Sequence, residues 1–209
     1  MAGYPSPVRI SLTPLGDWGL GWVAAEPVRM QRASYALLHD GGVWLIDPVD
    51  AEGLADHIAG LGPVRGVIQL LDRHPRDGAA LAARHGVPLH ELPRAAVPGA
   101  PFTPIVVADR RWWHEVALWW PERKALVVAE AVGTAPYYLA PGRRIGLHPL
   151  MRLTPPRVLS PLDPEHLLPC HGAPVSGSRV ADDLHAAIAH SRRDIPGVLG
   201  AMARGRRAA

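Results

Sequence analysis

Residues 64–85, VRGVIQLLDRHPRDGAALAARH, decide how the rest of the chain is read. Val64 to Leu71 is a short apolar run with no polar alternation, the pattern of a strand covered on both faces. It breaks at Asp72-Arg73-His74-Pro75-Arg76-Asp77, where five of six side chains are ionisable. Gly78 to His85 then reads as a helix closed by Gly86, which suits the left-handed conformation of a helix C-cap.

Upstream, Ala33 to Leu38 and Val43 to Ile46 are apolar runs around the turn His39-Asp40-Gly41-Gly42, a β-hairpin ended by Asp47-Pro48. Ala51 to Leu61 carries Leu54, Ile58 and Leu61 at helical spacing, with Gly62-Pro63 after it. The opening, through about Met30, supplies one or two strands and a loop. Downstream, Val87 to Leu92 reads as a short strand. Glu115 to Trp120 and Ala125 to Ala129 form a second hairpin around Pro121-Glu122-Arg123-Lys124. Gly133 to Pro156 is irregular, Val158 to Leu162 leads to Leu167-Leu168-Pro169-Cys170-His171-Gly172, and Ser178 to Arg193 is an amphipathic helix. Strand pairs followed by helix and strand, twice over, predict two sheets covered by helices in one domain spanning 1–209.

Composition narrows the function classes. No apolar run reaches the roughly 18 residues that span a bilayer. The opening MAGYPSPVRI lacks the basic-then-apolar order of a signal peptide, so no membrane association and a cytoplasmic location are expected. The single cysteine, Cys170, excludes an internal disulfide and a multi-cysteine zinc site. The net charge is only +3, and all but Lys124 of the 22 basic residues are arginine, a skew that fits a GC-rich bacterial genome. Apart from Arg204-Gly205-Arg206-Arg207 the arginines are scattered, which argues against nucleic acid. The 23 prolines are spread along the chain, as in many short elements joined by rigid turns.

Five features then fall in a particular order: the hairpin ending at Asp47, the DRHPRD loop, the hairpin VALWWPERKALVVAEAV carrying Glu130, the segment PCHGAPV with His171, and a terminal helix. That order, from about Tyr35 to about Arg193, resembles the metallo-β-lactamase superfamily, including glyoxalase II and related hydrolases. The resemblance implies an α/β fold built as a four-layer αββα sandwich. It sets the superfamily's HxHxDH motif against DRHPRD, so that Asp72 stands for the first His, His74 keeps the second, Arg76 replaces the Asp, and Asp77 replaces the last His. Glu130 falls at the bridging aspartate and His171 at the final ligand. His114 is only an approximate counterpart of the middle His, and Asp47 matches an aspartate that buttresses the site.

The metal-ligand candidates are therefore Asp72, His74, Asp77, Glu130 and His171. By ligand hardness this oxygen-rich set suits Mn²⁺ or Fe²⁺ better than Zn²⁺, and it leaves open one divalent ion (Zn²⁺, Mn²⁺ or Fe²⁺), an intact dinuclear site, or no metal. Arg76 opposes a metal, because a guanidinium only donates and is always charged. Pointing inward, it is expected to take the second metal's place and pair with Asp72, Asp77 or Glu130. Cys170 reads as a buried inert thiol beside His171, and His148 as a surface-loop histidine. Trp112, Trp113, Trp119 and Trp120 read as mostly core, with one of the last two covered by another layer or by a second copy of the chain. Tyr137 and Tyr138 are placed at a pocket mouth or in loop packing.

Three functions follow as expectations. One is a hydrolase acting on a small ester, thioester or lactone, as the resemblance implies. A second is a non-catalytic, metal-free relative serving as a binding or interaction module. The third is a metal-free enzyme with Asp77 or Glu130 as general base and Arg76 stabilising an oxyanion.

Overall fold

The computed structural model describes residues 8–25 and 30–207. Among these, six strands form one mixed sheet: β1 (Ile10–Pro14), β2 (Gly19–Ala24), β3 (Ala33–His39), β4 (Gly42–Ile46), β5 (Val64–Gln69) and β6 (Leu89–Glu91), ordered as in the sequence. The first three junctions are antiparallel, and β4–β5 and β5–β6 are parallel. Helices α1 (Leu54–Leu61) and α2 (Gly78–His85) are the crossovers that parallel neighbours require. A second sheet has the order β13-β12-β9-β8-β7, from β7 (Thr103–Arg110), β8 (Trp113–Trp120), β9 (Ala125–Val128), β12 (His166–Pro169) and β13 (Val175–Ser176). Two short strands, β10 (Val132–Gly133) and β11 (Gly146–Leu147), pair separately. Helices α3 (Val180–Ala189) and α4 (Ile195–Arg207) close the chain.

Side-chain alternation sorts the layers. In β3 and β4, Tyr35, Leu37, Trp44 and Ile46 enter the central core, together with Ala117, Leu126 and Leu168 of the other sheet. Their neighbours Ala36, Val43 and Leu45 face the opposite way, against Leu54 and Ile58 of α1 and Leu81 of α2. Val180, Leu184, Ala187 and Ile188 of α3 cover the second sheet. The result is helix, sheet, sheet, helix: the expected α/β four-layer sandwich.

Several elements, the short edge strand β13 among them, depart from the sequence reading. The strand β7 and the helix α4 are not expected from the sequence, and both are poor in pattern: β7 is half-exposed or exposed at all but one position, and α4 holds Pro196 and three glycines. Within 133–156, the β10–β11 pair gives order to a segment expected to be irregular. The expected loop of the opening segment includes 26–29, which lie outside the described residues.

Candidate functional site

Asp47 follows β4, Asp72 to Asp77 follow β5, Glu130 follows β9 and His171 follows β12. The β4–β5 and β9–β12 pairs are parallel, so four carboxyl ends deliver these residues to one end of the sandwich. That is where open α/β sheets gather ligand-binding groups. The sheets are tied there by bridges Arg32–His171 and Leu71–Glu115. Gly172 permits the tie: at φ 93° a Cβ would lie 2.3 Å from the Ala135 nitrogen.

The centre is a contact between two imidazoles. His74 Nε2 and His171 Nε2 are 3.1 Å apart, and both side chains are buried, at 7% and 4% exposure. His171 Nδ1 lies 3.0 Å from the Met30 carbonyl, which only accepts, so this nitrogen carries a proton. His74 Nδ1 lies 2.8 Å from Asp47 Oδ2, and Asp47 Oδ1 accepts from the Leu70 amide at 2.8 Å. Burial alone would raise the Asp47 carboxyl, but His74, Arg76 and the Leu70 amide together hold it below the usual carboxylate range. An ionised Asp47 makes His74 Nδ1 a donor too. Both Nε2 atoms would then present lone pairs to each other unless one more proton lies between them. Burial, His74 and Arg76 push His171 down to about 2.

Arg76 points inward, but it does not pair with a carboxylate. Its NH1 donates to the Ala33 and Asp47 carbonyls and its NH2 to the Cys170 carbonyl at 3.0 Å, with Asp47 O at 2.8 Å. One guanidinium thus joins the start of β3, the end of β4 and the end of β12. Arg76 and Asp47 both hold a left-handed backbone, at φ 41° and 42°. For residues with a Cβ this costs free energy, which the surrounding bonds offset.

The other candidates separate. Asp77, at the N-cap position of α2, accepts from the Asp50 amide at 2.8 Å. Asp72 is exposed and lies 3.5 Å from Arg73 NH1. His114 bonds Asp109 at the hairpin tip instead of joining the pair. Cys170 is buried as expected, and burial raises its thiol well above the usual range. Glu130 accepts from Arg73 NH2 at 2.9 Å and lies 3.5 Å from His148 Nε2.

His148 corrects the sequence reading. It is buried, not on the surface, because its amide donates to the Ala131 carbonyl beside the β10–β11 ladder. Burial pushes it down to about 4. Arg73, skipped as a spacer between motif positions, stacks 4.4 Å over the Trp113 ring and also donates to the Trp112 carbonyl. Trp113 and Trp120 are core residues, whereas Trp112 is 52% exposed. Beneath this rim Glu115 accepts from the Glu130 and Ala131 amides and from Trp113 Nε1. Burial carries its carboxyl to about 7 despite those donors.

No protein-family model and no curated protein matches the sequence. Solved structures do match. A metallo-β-lactamase from Erythrobacter litoralis superposes with a TM-score of 0.58 at 10% identity, over 87% of this chain and 95% of that one. This chain has the metallo-β-lactamase fold. The FIM-1 enzyme of Pseudomonas aeruginosa in its mono-zinc form gives 0.58 at 10% identity over 92% and 99% of the two chains. A Hirschia baltica metallo-β-lactamase gives 0.54 at 12% over 86% and 97%. Among the described residues no group of three or more His, Cys, Asp or Glu is placed to hold a metal ion. No helix among them is long and apolar enough to cross a membrane.

Proposed function

We propose that this chain is a metal-free protein of the metallo-β-lactamase fold that works as a binding module. The observation that carries the reading is the inward-pointing Arg76, whose guanidinium donates to the Ala33, Asp47 and Cys170 carbonyls. A zinc ion takes about four ligands, at least three of them from the protein. Here the two imidazoles face each other, the remaining carboxylates are held by other groups, and the position of a metal-binding aspartate carries Arg76. These residues do not fit a dinuclear centre. A proton between the two Nε2 atoms and the Arg76 guanidinium supply the positive charge that holds the strand ends together.

A hydrolase acting on a small ester, thioester or lactone needs a free base or nucleophile. His171 Nε2 is engaged by His74, Glu130 faces Arg73 and His148, Asp77 accepts from the Asp50 amide, and the Cys170 thiol is buried. The fold alone does not supply the activity. What remains accessible is the rim of Asp72, Arg73, Trp112 and Tyr137, where a small molecule can be held. Calorimetric titration with Zn²⁺, Mn²⁺ and Fe²⁺ tests the metal-free reading. The expected result is no saturable heat up to about 100 µM ion; one-to-one binding in the micromolar range or tighter, lost in His171→Ala, overturns it.

A further inference from the structure

The rim contains a guanidinium already bound, and it belongs to the chain itself. Arg73 lies with its guanidinium carbon 4.4 Å above the Trp113 ring, donates to Glu130 Oε2 at 2.9 Å and to the Trp112 carbonyl at 3.0 Å. The wall around Glu130 is aromatic. His148 packs 5.1 Å from Trp113 and 5.5 Å from Tyr137, and Tyr137 packs against Tyr138 at 5.6 Å. A carboxylate of 11% side-chain exposure set among aromatic faces is the arrangement that recognises an organic cation. Its present occupant can be reached from solvent. The Arg73 side chain is 41% exposed and stems from the loop after β5.

We propose that Glu130, Trp113, Tyr137 and His148 form a cation site that takes a small molecule bearing a guanidinium group, with Arg73 as its tethered occupant. The ligand replaces Arg73 over the Trp113 ring, donates to Glu130 and the Trp112 carbonyl, and releases Arg73 to solvent. A planar donor group is favoured over a quaternary ammonium because both acceptors are already read by N–H groups. The proposal rests on the chain being a binding module.

The test is titration of methylguanidinium, with tetramethylammonium in parallel, into Arg73→Ala and wild type, followed by the indole N–H resonances. In Arg73→Ala, methylguanidinium should bind saturably at millimolar concentration or below. Glu130→Gln added to that variant should weaken binding at least about tenfold, the loss of one charge-assisted bond. Wild type should bind at least about tenfold more weakly than Arg73→Ala, since Arg73 competes. If Arg73→Ala fails to fold, Arg73→Gln takes its place, with the Trp113 indole of wild type at high ligand as a second readout. No saturable shift, or binding indifferent to Glu130→Gln, overturns the proposal. Preference for tetramethylammonium overturns the guanidinium assignment. Metal content measured on the same samples scores the metal-free reading separately: bound metal with intact methylguanidinium binding sinks that reading and leaves the cation site standing.

Discussion

Replacing Arg76 by alanine should destabilise the fold by about 3–5 kcal/mol, from the loss of its guanidinium's hydrogen bonds to three backbone carbonyls. The structure gives the terms. Three backbone carbonyls lose a charged donor, and a hydrogen bond to a charged group contributes roughly 1.5–3 kcal/mol. Two of them keep other donors: Asp47 O accepts from Ser34 Oγ at 2.8 Å and Cys170 O from the Ala33 amide at 2.8 Å. Arg76 is also half-exposed and its Nε has no hydrogen-bond partner, so the sum falls well below three full bonds. With a urea m-value of about 2–3 kcal/mol/M, the midpoint should drop by roughly 1–2 M. The left-handed backbone adds a signature. At φ 41° glycine is relieved of strain, so Arg76→Gly should be about 1 kcal/mol less damaging than Arg76→Ala, although glycine normally costs more. Restoring the superfamily's residue, Arg76→Asp, should be worse than either, because it sets a carboxylate against the same carbonyls. A loss under about 1 kcal/mol for Arg76→Ala, or glycine worse than alanine, would refute the view of Arg76 as a three-strand cross-link.

Stability should fall with acid. His171 and His148, pushed to about 2 and about 4, stay neutral when folded but take up protons below pH 6.5 when unfolded, so each loses about 1.4 kcal/mol per pH unit below that point. Glu115, raised to about 7, acts oppositely between its unfolded value of 4.5 and 7, being protonated only when folded. Two protons against one leave a net slope of about 1.4 kcal/mol per unit from pH 6.5 to 4.5, read from urea midpoints; a flat profile contradicts these environments. Glu115→Gln should lower stability by about 1–3 kcal/mol at pH 7, since its amide group meets amide donors where a carboxylate accepted, and the pH slope should steepen. Imidazole ¹⁵N spectra should show N–H protons on Nδ1 of both His74 and His171 and one further proton between the two Nε2 atoms; two singly protonated rings would exclude the shared proton.

Most of the sandwich was legible because its strands carry their covering in their composition. The β3–β4 hairpin and β5 are apolar on successive positions, as strands with sheet and helix on opposite sides must be. The α2 helix was bounded correctly by Gly78 and Gly86. What escaped was set by tertiary contact. The β7 strand is an edge of half-exposed residues, and its signal is weak. At the site, the sequence brought out His74, His171 and Asp47 through residue type and order, and the structure joins those three. It could not give the direction of Arg76: carbonyls of three distant strands have no trace in local sequence. His148 was misread because nothing near it announces the Ala131 contact that buries it. Arg73 was passed over because it falls between two motif positions; its alternation with Asp72 and His74 was the available signal.

The central claim is that a shared proton and an arginine stand where metal would be held. The direct measurement is elemental analysis of protein purified without chelators from cells supplied with zinc, manganese and iron, beside His74→Ala prepared identically. The account predicts below about a tenth of an equivalent of any of these metals in both proteins. About one equivalent or more in the wild type, absent from His74→Ala, would contradict it.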